Sequence, residues 1–290
     1  MAGRAGGRRH GVPITGSDSA VSVHDGERSA PRPDEVAHRR TGLAALAAPA
    51  APRTHRWGLP AFLLAEAVFL LISAAIGVVV LADAPLDGGV PQITVPAFAV
   101  ITVVPTVAAA GVALLVTRIR GGGPRRDLGL VWSWRDAAIG LGLGFAGLFL
   151  SAVAAAVWVW VVGPDVGSAL GDALDGLRAA WPVAAAMMFA VVVVAPVCEE
   201  ILYRGLLWGA VEKLGAGPWL AFGITTVVFA FAHFEFVRAP LLLVISIPIG
   251  LARLITGRLV ASVVAHAFNN LLPGVAVFLL LVGVELPTPA

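Results

Sequence analysis

Residues 191–205 read VVVVAPVCEEILYRG. Hydrocarbon runs straight into two adjacent carboxylates, Glu199 and Glu200, and then into Arg204. The stretch lies in a run, 181–208, that is long and apolar enough to cross a bilayer as one helix. An ionised carboxylate at the centre of such a helix costs at least about 2.5 kcal/mol. Acids in that position are therefore paired, solvated in a cavity, or functional.

Neighbouring helical residues project about 100° apart, which predicts that Glu199 and Glu200 do not share one partner. Glu200 and Arg204 stand at i,i+4 with the acid N-terminal, the favourable order for an ion pair. Glu200 thus has a structural partner, and Glu199 has none in its own helix. Pro196, one turn before Glu199, removes a backbone donor and is expected to bend the helix. On their own, these residues suit a buried salt-bridge cluster as well as a catalytic centre. The rest of the chain has to distinguish the two.

Of the 290 residues 58% are hydrophobic and 13% charged, with a mean hydropathy of +0.89. Soluble domains carry about 25% charged residues, so a soluble fold is excluded and an all-α polytopic transmembrane bundle is expected. The one cysteine, Cys198, excludes an internal disulfide and a zinc-finger type cluster. The pI near 9.3 comes from arginines placed outside the spans. That placement reads as membrane orientation, not as nucleic-acid binding.

Residues 1–56 hold nine arginines against five acids, a net +4, and show no apolar periodicity. They are expected to form a disordered cytoplasmic tail, because they cannot bury enough apolar surface to offset ordering. Ala82-Asp83-Ala84 imitates a signal cleavage site, but the run before it is too long for one, so no cleavage is expected. Seven spans are expected, near 57–81, 93–117, 137–162, 181–214, 218–236, 240–256 and 258–282, with Trp57 as an interfacial anchor. They divide into N-terminal helices over 57–180 and a second bundle over 181–282. Gly140, Gly142, Gly144 and Gly147 offer the third span a close-packing face. Segment 118–136 carries five arginines and two acids, whereas 163–181 carries three acids and one arginine. The positive-inside rule then puts the tail and the 118–136 loop in the cytoplasm of a multi-pass cell-membrane protein.

Two histidines also lie within apolar spans. His233 follows Phe229 by four residues, and Asn270 follows His266 by four, so each pair shares a helical face. The break Gly215-Ala216-Gly217-Pro218 centres on Ala216, with Glu199 17 residues before it and His233 17 after. In an antiparallel hairpin the two side chains would sit at equal depth, ~25 Å from the tip at 1.5 Å per residue. His266 enters ~12 Å into the last span from the same side. Three helices can therefore bring a carboxylate, two imidazoles and an amide to one layer, a set suited to water activation and oxyanion stabilisation.

Glu199-Glu200-x-x-x-Arg204, Phe229-x-x-x-His233 and His266-x-x-x-Asn270, in this order, resemble the three motifs of the CPBP (ABI) family. That family includes the type II CAAX prenyl endopeptidases and bacterial bacteriocin-processing or self-immunity factors. The resemblance covers about residues 181–282. It implies an intramembrane endopeptidase whose substrate is a membrane-associated peptide or protein. Glu199, with His233, would activate water; His266 and Asn270 would stabilise the oxyanion; Glu200, Arg204 and Phe229 would support the site. Glu199, His233 and His266 also form a ligand set that zinc permits. The sequence does not choose between a zinc mechanism and a metal-free glutamate mechanism.

Other classes compete less well. There is no H-E-x-x-H, and the Leu-Asp-Gly copies at 86–88 and 174–176 read as turns in outer loops. Ser262 precedes His266 by four residues but lacks a Gly-x-Ser-x-Gly context. A proton-coupled transporter would be supported by paired repeats, and none is visible. A non-catalytic scaffold or immunity factor is disfavoured by the intact polar set. Glu66, in the first span, has no evident role in the sequence.

Overall fold

The computed structural model describes residues 55–87, 90–163, 169–174 and 176–284. The tail expected over 1–56 lies outside these residues except for its last two. The helices are α1 (Leu59–Asp83), α2 (Val95–Arg120), α3 (Pro124–Asp127), α4 (Trp134–Val162) and α5 (Ala169–Leu174). After them come α6 (Trp181–Lys213), α7 (Pro218–Phe231), α8 (Ala239–Thr256), α9 (Leu259–Asn269) and α10 (Leu271–Leu281). The architecture is all-α, apart from a two-residue antiparallel ladder, β1 (Leu86–Asp87) with β2 (Val90–Pro91), where the first outer turn was expected.

Five helices, α1, α2, α4, α6 and α8, are long and apolar enough to span a membrane. A sixth candidate crossing is α9 with α10, a pair bent by 41°. The chain is a multi-pass membrane protein, but the expected count of seven is not met. The difference lies in α7, which ends at Phe231 after 14 residues. At 1.5 Å per residue it rises about 21 Å, short of a hydrocarbon core of about 30 Å. The segment 232–238 that follows is irregular, and Phe234 there has φ +55°, in the left-handed region. Pro273 explains the other break, since it removes the donor that would reach the Asn269 carbonyl.

Arg56, Arg120, Lys213 and Arg258 lie at one end of the bundle. Arg56 N–H donates to Arg120 O at 2.8 Å, Leu259 N–H to Gly129 O at 3.1 Å, and Arg258 pairs with Asp136 at 3.0 Å. Trp57 belongs to this end but is no interfacial anchor: it is 2% exposed. Its Nε1 donates to Asp127 Oδ2 at 3.1 Å, and its carbonyl accepts from Lys213 Nζ at 2.7 Å. A Cβ on Gly209 would lie 2.5 Å from the indole. The ring fits because α6 has a glycine there, so it buries in the protein rather than facing the lipid boundary.

The glycine face of α4 places α9. A Cβ on Gly140 would stand 2.4 Å from Ala261 O, one on Gly144 2.9 Å from Phe268 Cβ, and one on Gly147 3.0 Å from Pro248 Cγ. Gly142 is the exception and meets nothing within 4 Å. The three packing glycines recur at i, i+4 and i+7, and Gly142 points off that stripe. Ala265, whose carbonyl lies 3.0 Å from a Cβ built on Gly144, is the residue before His266. Overpacking such a seam costs typically about 1–3 kcal/mol. Gly144→Leu should therefore lower the melting temperature of the detergent-solubilised protein, while Gly142→Leu should leave it unchanged. Equal melting curves for the two would refute this account of the seam.

Candidate active site

The two glutamates lie in a six-residue α-helical stretch of α6, Ala195–Glu200, between two π-helical turns, Ala190–Val194 and Ile201–Leu207. Pro196 accounts for the first turn. Ala195 N–H donates to Ala190 O in a π-type bond, and Pro196 has no N–H to offer. Val191 O thereby loses both helical donors that would reach it. Asn270 replaces them, donating from Nδ2 at 3.1 Å. The bend expected at Pro196 takes this form.

Glu200 and Arg204 are both fully buried, with Arg204 Nη1 3.1 Å from Glu200 Oε1. The same oxygen accepts from His266 Nδ1 at 2.9 Å. Arg204 Nη2 donates to Ser246 Oγ of α8, and the guanidinium lies 4.3 Å from the centroid of the Phe229 ring of α7. Four helices thus meet on one ion pair.

Glu199 is 23% exposed, and its Oε2 lies 3.7 Å from His266 Nε2. The two glutamates therefore share an imidazole, contrary to the expectation from their 100° separation. That argument holds for a partner with one contact point. An imidazole carries nitrogens on two edges, and α9 inserts it between the two side chains.

His233 lies past the end of the helix that was expected to carry it. Its Nδ1 donates to Phe229 O at 2.8 Å, its ring is edge-on to Phe229 at 4.8 Å, and the residue is exposed. Among the described residues no hydrogen bond or ion pair joins it to Glu199. Equal depth assumed a helix running past residue 233, and α7 stops at Phe231. Phe229 links the two histidines, its ring centroid lying 5.5 Å from that of His266.

Nor do the residues offered as zinc ligands, Glu199, His233 and His266, converge. Among the described residues no group of three or more His, Cys, Asp or Glu side chains is placed to hold a metal ion. Both imidazoles engage Nδ1 with protein acceptors, and His266 turns its Nε2 toward Glu199.

Residues 181–272, about a third of the chain, match the family model described as type II CAAX prenyl endopeptidase Rce1-like. The match agrees with the resemblance of the three motifs to the CPBP family. No curated protein and no solved structure matches the chain. The Rce1-like region contains Glu199, Glu200, Arg204, Phe229, His233, His266 and Asn270. The packing glycines of α4 and the whole of α1 lie outside it.

Three polar groups escaped the sequence reading. Ser246 is fully buried on Arg204, Tyr203 stands edge-on to Phe229 at 5.4 Å, and Asn269 accepts from Ser151 Oγ at 3.3 Å. Ser246 carried a usable signal, being the one serine in an apolar helix, whose hydroxyl must find a partner. Ser262 donates to Ile249 O at 3.0 Å and is fully buried, which gives its hydroxyl a structural use.

Removing one member of a buried ion pair strands the other and costs roughly 3–5 kcal/mol. Glu200→Ala should therefore lower the melting temperature sharply or prevent folding. Glu199→Gln, at a partly exposed carboxylate outside the pair, should leave it unchanged. If both substitutions destabilised the protein equally, both acids would be structural.

Proposed function

We propose that the protein is an intramembrane endopeptidase that hydrolyses a peptide bond in a membrane-associated polypeptide. The family match supports an activity of the CAAX-protease type within the membrane. One observation carries the assignment of the base: the adjacent carboxylates are in opposite states. Glu200 is sealed by Arg204 and His266, whereas Glu199 is partly open, with only an imidazole edge 3.7 Å away. A carboxylate held by one long imidazole contact, in a position that costs free energy, is the candidate for chemistry.

In this reading a water molecule held against Glu199 gives its proton to the carboxylate as its oxygen bonds to the scissile carbonyl carbon. The carbonyl oxygen becomes an oxyanion. Asn270 spends one amide hydrogen on Val191 O and has a second to donate there. His266 stabilises the oxyanion from its Nε2 edge, with Nδ1 held by Glu200. As the C–N bond breaks, the proton passes from Glu199 to the leaving amine. His233, pinned at Nδ1, offers Nε2 as an acceptor for the same water or the entering peptide. Each of these steps uses residues of this chain.

The arginine-rich end of the bundle is assigned to the cytoplasm by the positive-inside rule. A reporter inserted near Gly122 should accordingly read as cytoplasmic, and an external reading would reverse the orientation.

The reaction is tested with purified protein in detergent and membrane-anchored peptides, prenylated and unprenylated. Wild type should cleave some of them. Glu199→Gln should remain folded and lose ~10²-fold or more in rate, and Asn270→Ala should lose about 10²-fold. Cleavage that persisted in Glu199→Gln would eliminate the proposed base. A wild type inert toward every peptide would favour a non-catalytic scaffold.

A further inference from the structure

Glu66 lies in α1, outside the Rce1-like region, and a carboxylate in that apolar helix needs a reason. Its side chain lies against Tyr203, with which it interacts. Its Oε1 is buried without a hydrogen-bond partner among the described residues. Tyr203 follows Glu199 by four residues on α6 and interacts electrostatically with both Glu66 and Glu199. It is 7% exposed, with Phe62 of α1 5.9 Å away on one side and Phe229 5.4 Å away on the other. Phe62 and Glu66 are themselves one turn apart, so one face of α1 meets the tyrosine with a ring and a carboxylate.

The contacts run onward into the site. Phe229 is the ring on which Arg204, His233 and His266 all rest. A shift of Tyr203 would move Phe229, and with it both imidazoles. It would also move the turn of α6 that carries Glu199.

We propose that Glu66 is a positioning residue of the site: through its interaction with Tyr203 it fixes the Tyr203–Phe229 wall and the orientation of Glu199. The first span then contributes to the chemistry without touching substrate. This rests on the endopeptidase reading for its consequence in rate, although the tie itself can be tested without activity.

Cys198, the only cysteine of the chain, supplies that second readout. It precedes Glu199, is 7% exposed, and belongs to the same buried cluster as Phe62, Tyr203 and Phe229. The experiment compares full-length wild type with Glu66→Ala, Glu66→Gln, Tyr203→Phe and the Glu66→Ala/Tyr203→Phe double variant. It measures kcat, KM, melting temperature and the rate of Cys198 alkylation by N-ethylmaleimide. Glu66→Ala and Tyr203→Phe should each lower kcat about tenfold, one step of 1.4 kcal/mol in barrier, with KM and melting temperature near wild type. Both should speed alkylation several-fold. Glu66→Gln, whose side chain keeps the shape and an acceptor oxygen, should restore both readouts, and the double variant should be no worse than either single one.

Wild-type kcat and alkylation in Glu66→Ala would overturn the proposal. So would a loss in Glu66→Gln equal to that in Glu66→Ala, or a fall in activity that only follows melting temperature. If wild type cleaves nothing, the endopeptidase reading fails, and the alkylation rates still decide whether Glu66 holds this wall.

Discussion

The arrangement depends on a charge pair that has no water to fall back on. Glu200 and Arg204 are fully buried, so each needs polar partners within the protein. Their own helix supplies one contact, the i,i+4 bridge. The rest come from elsewhere: Ser246 from α8, the Phe229 face from α7 and His266 from α9. Each of these helices is thereby held at a fixed height and rotation against α6. The pair contributes position more than net stability, because burying two charges offsets much of their attraction. What that position secures is the second acid. With His266 drawn to Glu200 by Nδ1, its Nε2 is aimed at Glu199.

Bringing α9 close enough for this is the work of small residues and one missing hydrogen. Gly140 and Gly144 let the backbone of α9 approach α4 to distances that a side chain would forbid. From the other side, Asn270 is tied to α6 through the carbonyl that Pro196 deprives of a donor. The proline and the asparagine are 74 residues apart in sequence and form one structural unit. In hydrocarbon an unpaired carbonyl is costly, so the defect created by Pro196 selects a polar partner from the facing helix.

What could be read from the sequence follows from how local each interaction is. The Glu200–Arg204 bridge lies within one helical turn and was legible. So were the apolar spans and the glycine stripe, where Gly142 was included only because composition cannot show which way a glycine points. The sharing of His266 was not legible, because it depends on where a distant helix inserts a ring with two binding edges. Trp57 read as an anchor by its place at a span boundary, yet the cavity that accepts it is made by Gly209 on another helix. The end of α7 was missed for a different reason. FAFAHFEFV has only His233 and Glu235 as polar residues and no glycine or proline to mark the stop. Pro273 did mark the break between α9 and α10, but a proline in an apolar run also suits a merely kinked helix.

The residues proposed for chemistry sit where regular helix fails. Glu199 stands between two π turns, His233 two residues past the end of α7, and Asn270 at the 41° bend. A membrane penalises each of these irregularities, since backbone polar groups freed there find no water in lipid. Irregular backbone persists at such depth only when protein groups or a solvated cavity satisfy it. Asn270 on Val191 O and His233 on Phe229 O do this directly, using side chains as substitutes for missing backbone bonds. Each leaves part of its polar group unspent, the second amide hydrogen of Asn270 and the Nε2 of His233. The need to satisfy broken helices therefore brings polar side chains into apolar segments, and each keeps part of its hydrogen-bonding capacity for something else.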